Sequence, residues 1–176
     1  YISVADVKQR YELAKKYKDN LEVMTKLLIA DPKLYTMAGK KVKNDYEFAK
    51  LAVSLYGMNY LNLSSELKKD ANIIYATLEK NHDYITLINE DLLDDAEVAY
   101  AVLSVNPTFW NKLGKSVKQD SHFLIEVAIM YPDLIPEFGA KWADFEKIFY
   151  WACRKDGMAL RYASRAIKDN TNINCF

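Results

Sequence analysis

Cys153, His82 and His122 are the side chains here best suited to covalent or metal chemistry, and Glu90, Asp91, Asp94, Asp95 and Glu97 form the densest carboxylate run. A nucleophilic cysteine needs a histidine within hydrogen-bonding reach and a lowered thiol pKa. Cys153, however, shares a column with Leu28, Val53, Leu78, Leu103 and Ala128, and so reads as a core thiol. His82 stands in a turn column with proline and glycine, and His122 stands two residues past Asp120 at a helix start. The two histidines lack metal-ligand spacing, and the acidic run lacks the glycine and alternating ligands of a calcium loop. There is no glycine-rich phosphate loop and no serine in a nucleophile elbow. The sequence therefore assigns no catalytic residue, no metal and no cofactor.

Asp45, Asp70, Asp95 and Asp120 would be candidates for acid–base work, but they recur every 25 residues. So does almost everything else. Three positions past Asn20, Asp45, Asp70, Asp95, Asp120 and Phe145 the residue is always apolar: Val23, Phe48, Ile73, Val98, Phe123, Ile148. Twelve positions on come Pro32, Gly57, His82, Pro107, Pro132 and Gly157. A fixed period of this size marks a repeat architecture. In the unit starting at Asp95, Val98, Ala99, Val102 and Leu103 occupy one face of an α-helix. Asp95 reads as its N-cap, and Pro107 stops it because the residue before proline is forced out of the α region. Phe109, Trp110, Leu113 and Val117 then predict a second α-helix of similar length. Trp110 and Trp142 read as packing residues.

Helices of about ten residues are not stable alone in water, so tertiary burial must hold them. The economical solution is an all-α fold, an α-solenoid of stacked helical hairpins. Its expected organisation is one domain, with a cap at residues 1–18, repeats at 19–44, 45–69, 70–94, 95–119, 120–144 and 145–169, and a partial unit at 170–176. The absence of an initiator methionine at Tyr1 suggests a fragment of a larger protein. Gly39, Ser64, Asn89, Gly114, Gly139 and Ser164 form a column of small or compact residues expected on the flank of the second helix. Glycine there costs about 1 kcal/mol against alanine, so close approach of an adjacent helix, or a groove for a ligand backbone, must compensate.

Residues 160–169, reading LRYASRAIKD after Ala152–Gly157, and residues 61–70, reading LNLSSELKKD, fit the pattern A-V-x-x-(N/D)-G-x-x-L-x-x-A-S-x-x-L-x-x-D. In this the chain resembles domain of unknown function 4116, a short helical repeat found in tandem in secreted effectors of intracellular bacteria. The resemblance implies an accessory module beside other domains. It supplies no catalytic residue.

The formal charge is zero, so the field that would draw nucleic acid or an anionic membrane is absent overall. Both ends are basic and the middle is acidic, as solvated helix faces would be. No apolar run reaches the ~18 residues needed to span a bilayer, and two cysteines, Cys153 and Cys175, make no disulfide framework. These features suggest a monomer in a reducing cytosol, or in a host cell's cytoplasm if the effector resemblance holds. One column is not required by the core: Tyr75, Tyr100, Ile125 and Tyr150, five positions into their units. By the 100° per residue of an α-helix this column points roughly 130° from the core direction. It is thus a candidate partner-binding ridge, with Glu90, Asp91 and Asp94 to select a basic partner. Alternatively, curvature of the stack buries these side chains on the next hairpin. The expected function is protein interaction or scaffolding without catalysis. A nucleic-acid-binding helical repeat, or the recruiting arm of an enzyme whose active site lies elsewhere, is the alternative.

Overall fold

The computed structural model describes residues 7–170. The start of the expected cap, and Ile173 and Cys175 of the partial unit, lie outside the described residues. Among the described residues all regular structure is helical and there are no strands. After α1 (Val7–Lys16), ten-residue helices recur as α2 (Leu21–Ala30), α4 (Tyr46–Leu55), α5 (Ala71–Lys80), α6 (Ala96–Val105), α7 (Ser121–Met130) and α8 (Glu146–Lys155). Two single-turn helices, α3 (Lys40–Lys43) and α9 (Arg165–Lys168), complete the set. Every long helix from α2 onward starts one residue after the column of Asn20 and Asp45, and ends two before the column of Pro32 and Gly57.

The capping aspartates do what their chemistry requires. Asp95 Oδ1 accepts from the backbone N–H groups of Glu97 and Val98 at 2.9 and 3.1 Å, and Asp70 Oδ1 accepts from Asn72 and Ile73. Asp45 and Asp120 cap α4 and α7 in the same way, and Asn20 caps α2. Replacing Asp95 by alanine removes a partner for orphan N–H groups, and should cost about 0.5–2 kcal/mol in denaturant unfolding. A second row of caps stands one residue before the helix breakers: Asp31, Asn81, Asn106 and Asp156 accept from Lys33, Asp83, Thr108 and Met158.

These second caps open 3₁₀ helices, which corrects the expectation of a second long α-helix. The segments are Pro32–Met37, His82–Leu87, Pro107–Lys112 and Gly157–Tyr162, joined by Gly57–Asn62 and Pro132–Phe138, which start after a tyrosine without a side-chain cap. Their inward residues, Tyr60 and Leu63, Ile85 and Ile88, Trp110 and Leu113, are three apart. That spacing matches the three residues per turn of a 3₁₀ helix. The backbone then turns extended at Ala38, Leu63, Ile88, Leu113 and Ala163, which ends each segment. A shorter helical turn follows, as at Leu67–Lys69 and Val117–Gln119.

Apart from Gly139, which itself ends Pro132–Phe138, the small-residue column therefore lies just past an extended break and not on a helix flank. The Gly39 N–H donates to the Lys18 carbonyl at 2.7 Å, Gly114 to Leu93 at 2.9 Å, and Ser164 to Ala143 at 3.2 Å. A Cβ on Gly39 would overlap the Asp19 carboxyl, and one on Gly114 the whole Asp94 side chain. Close approach is thus the reason for glycine at these two positions, but the neighbour is the residue just before a long helix's cap, Asp19 before Asn20 and Asp94 before Asp95. Gly139 has a different reason, a φ of 93° with open space around it.

The chain divides between Leu92 and Leu93 into two compact units, two residues before the expected repeat boundary. Leu93 and Asp94 are fastened forward, Leu93 through its carbonyl to Gly114 and Asp94 through Oδ1, which accepts from the Val117 N–H at 2.9 Å. In the first unit the core is Met24, Leu27 and Leu28 of α2, Phe48, Ala49, Ala52 and Val53 of α4, and Ile73, Ile74 and Leu78 of α5. Asn59, buried among them, donates to the carbonyls of Pro32 and Ala52, tying one 3₁₀ segment to the next. In the second unit α6, α7 and α8 bury Val102, Leu103, Leu124, Val127, Phe149 and Cys153, with Trp110 stacked on Phe123 and tilted against Phe138.

Tyr35 and Tyr60 donate their hydroxyls to the carbonyls of Lys43 and Lys68 at 2.9 and 2.8 Å. Burial pushes both phenols from the ordinary value of 10 up to about 12. Because the folded pKa is raised, their contribution is fully present below the unfolded value near 10 and is lost as pH climbs towards 12. Unfolding midpoints should therefore fall above pH 10. Converting Tyr35 and Tyr60 to phenylalanine should flatten that fall, while costing about 1 kcal/mol each at neutral pH.

Candidate partner-binding grooves

No helix of the described residues is long and apolar enough to cross a membrane, and no group of three or more His, Cys, Asp or Glu is placed to hold a metal ion. Cys153 is buried on the core face of α8, while His82 and His122 are exposed. What the surface offers instead is a pair of grooves built alike, one in each unit.

Each groove forms where two successive ten-residue helices lie side by side and present the positions two, five, six and nine residues past their caps. These positions face away from the core by the 3.6-residue period. In the first unit, Glu47, Lys50 and Leu51 of α4 and Tyr75, Ala76 and Glu79 of α5 line a groove of about 460 Å³. In the second, Ile125, Glu126 and Ile129 of α7 face Lys147, Tyr150 and Trp151 of α8 across about 620 Å³.

The four residues of the candidate ridge fall as follows. Tyr75 is 36% exposed in the first unit, with its hydroxyl 3.3 Å from Glu79 Oε1. Ile125 and Tyr150 share the second unit's groove, Tyr150 being 37% exposed. Tyr100 is half-buried, because its ring packs on Phe123 with centroids 4.8 Å apart. Desolvation raises its phenol pKa, with the charges of Glu126 and Asp120 adding to the rise.

The acidic residues do not join this face. Glu90 lines a separate depression of the first unit with Leu61, Lys68 and Lys69, away from Tyr75 and the α4–α5 groove. Asp91 is exposed on the same turn, its N–H donating to Asn89 Oδ1. Asp94 serves the fold instead, since hydrogen bonds from Val117 and Ser116 hold its carboxyl below the usual range. Trp151, at 48% the most exposed large apolar side chain in either groove, was missed by sequence reasoning, as were Lys147 and Arg154. The signal was the outward offset itself, which α8 fills with an aromatic pair.

Residues 20–68 match the family described as Domain of unknown function (DUF4116). The match covers α2 to α4 and the 3₁₀ segment Gly57–Asn62, so the chain resembles that domain over nearly two repeats. It takes in residues 61–68, part of one of the two stretches that carry the pattern, while residues 152–169 lie beyond it. No curated protein and no solved structure matches the chain.

Proposed function

We propose that the chain is an α-solenoid of six 25-residue repeats that serves as a protein-interaction or scaffold module, an accessory domain of a bacterial effector without catalysis of its own. The observation that carries this reading is the recurrence of a partly apolar groove at the same outward offsets of neighbouring helices, with Tyr75 in one and Tyr150 and Trp151 in the other. Core packing does not require aromatics there, and tyrosine and tryptophan dominate binding hot spots. On this reading the protein works in a reducing cytosol, that of a host cell if it is exported.

Site-specific photo-cross-linkers in place of Tyr75 or Tyr150 in the full-length protein should capture a defined partner. A cross-linker in place of exposed Thr108, outside both grooves, should not. The partner, once identified and purified, should bind the chain directly, and Tyr75→Ser with Tyr150→Ser should weaken that binding while leaving the helical circular dichroism intact. Equal capture from all three positions, or undiminished binding by the folded double variant, would refute the reading.

A further inference from the structure

We propose that the α7–α8 groove accepts an acidic peptide segment, two carboxylates flanking an apolar or aromatic anchor; this rests on the interaction-module reading and names the chemistry of its partner. The outward face of α8 presents Lys147, Tyr150, Trp151 and Arg154, spaced i, i+3, i+4 and i+7, so that two cations bracket two exposed aromatic rings. The rings meet edge-on, with centroids 5.2 Å apart and planes at 88°. Arg154 lies 5.5 Å over the Tyr150 ring and its Nη1 donates to the tyrosine Oη at 3.2 Å, so the guanidinium is already oriented. Neither Lys147 nor Arg154 is held in an ion pair among the described residues.

The opposite wall supplies Ile125 and Ile129, which with Tyr150 and Trp151 make an apolar floor between the charges. Glu126 is the one carboxylate lining this groove; it stands on α7, across from the cations, and its field also acts on Tyr100. The α4–α5 groove has the reverse balance, with Glu47 and Glu79 against Lys50, so of the two grooves only the second favours an acidic segment. Seven residues of α-helix place Lys147 and Arg154 about 10 Å apart along the axis. An extended peptide spans that distance in about three residues, which gives the pattern acid-x-x-acid with the anchor between. A single-stranded nucleic acid would also find aromatics and cations here. The α7 wall disfavours it, since past Ser121 and His122 at its start it presents Ile125, Ile129 and the anionic Glu126, which repels phosphate.

The test uses the purified chain and fluorescein-labelled twelve-residue peptides, Gly/Ser-flanked, whose centres read Glu-Phe-Leu-Glu, Lys-Phe-Leu-Lys or Glu-Ser-Ser-Glu, together with a twelve-nucleotide oligouridylate. By fluorescence anisotropy the first should bind saturably and the other three at least tenfold more weakly. Lys147→Glu with Arg154→Glu, two exposed changes checked for folding by circular dichroism, should reverse the preference between the acidic and basic peptides. Trp151→Ala should weaken the acidic peptide at least tenfold, whereas Thr108→Ala, an exposed change outside both grooves, should leave it unchanged. The proposal is overturned if the acidic peptide shows no saturable binding, if acidic and basic peptides bind alike, if charge reversal has no effect, or if the oligonucleotide binds more tightly. Those outcomes leave the interaction-module reading to its own cross-linking test, which does not depend on the partner's charge.

Discussion

Leu103→Ala and Leu78→Ala are each expected to lower the free energy of unfolding by about 2–5 kcal/mol, well beyond the cost of removing the Asp95 cap. Both leucines are fully buried, Leu78 on α5 of the first unit and Leu103 on α6 of the second. Truncation removes their transfer free energy and leaves a cavity that short, capped helices pinned at both ends have little freedom to collapse into. Urea unfolding of the two variants also tests cooperativity. If the two units unfold together, both variants shift one common transition; if they unfold separately, Leu78→Ala moves one phase and Leu103→Ala the other. Were Asp95→Ala clearly the most damaging change, its role as a cap would be wrong.

The first helix of each repeat was legible because independent signals agree on it. Asp95 marks the start, Val98 to Leu103 the buried stripe and Pro107 the stop, and the observed helix runs Ala96–Val105. The second half carried an ambiguous signal, since Tyr60 and Leu63 at a spacing of three suit either an α-helix or a 3₁₀ helix. The deciding clue was the cap just before the breaker, Asp31, Asn81, Asn106 or Asp156, which starts a new helical segment at the breaker itself. The division at Leu92 was not legible. It depends on which carbonyl Gly114 reaches and on the Asp94 carboxylate serving Val117, contacts between residues some twenty apart.

Half-exposure of the tyrosine column followed from helical geometry alone, but what each side chain does there depended on its neighbour. Tyr100 is drawn down because Phe123 of the following helix offers a ring to pack against. Tyr150 stays outward beside Trp151, and Ile125 becomes part of a wall. A column defined by recurrence also hides what does not recur: position six past the cap is Leu51, Ala76, Glu126 and Trp151 in the four groove helices. No repeat frame would single out the tryptophan.

Gly114→Ala is the sharpest test of how successive repeats are joined, and is expected to destabilise by about 1–3 kcal/mol as an overpacked contact. The added methyl would overlap the Asp94 Cβ, Cγ and Oδ1, so the side chain must move from its root and cannot merely swing its tip. Moving it breaks the 2.9 Å bond to the Val117 N–H and strains the Gly114 to Leu93 backbone bond beside it. The Gly114 position should then lose amide-exchange protection. The Asp94 carboxyl, now held low by Val117 and Ser116, should return towards its ordinary range. A depressed carboxyl pKa contributes stability above its unfolded value and loses it as pH falls, so the variant should show a smaller loss of stability between neutral and acid pH than the parent. Gly139→Ala meets no atom and should cost only what its positive-φ extended backbone imposes on a side chain, about 1–3 kcal/mol, with no change at Asp94. The pair should couple in a specific way. Asp94→Ala keeps the offending Cβ and should not relieve Gly114→Ala, whereas Asp94→Gly removes it and should. Equal rescue by both, or none by either, would mean that the glycine is there for its backbone and not for the approach of the preceding repeat.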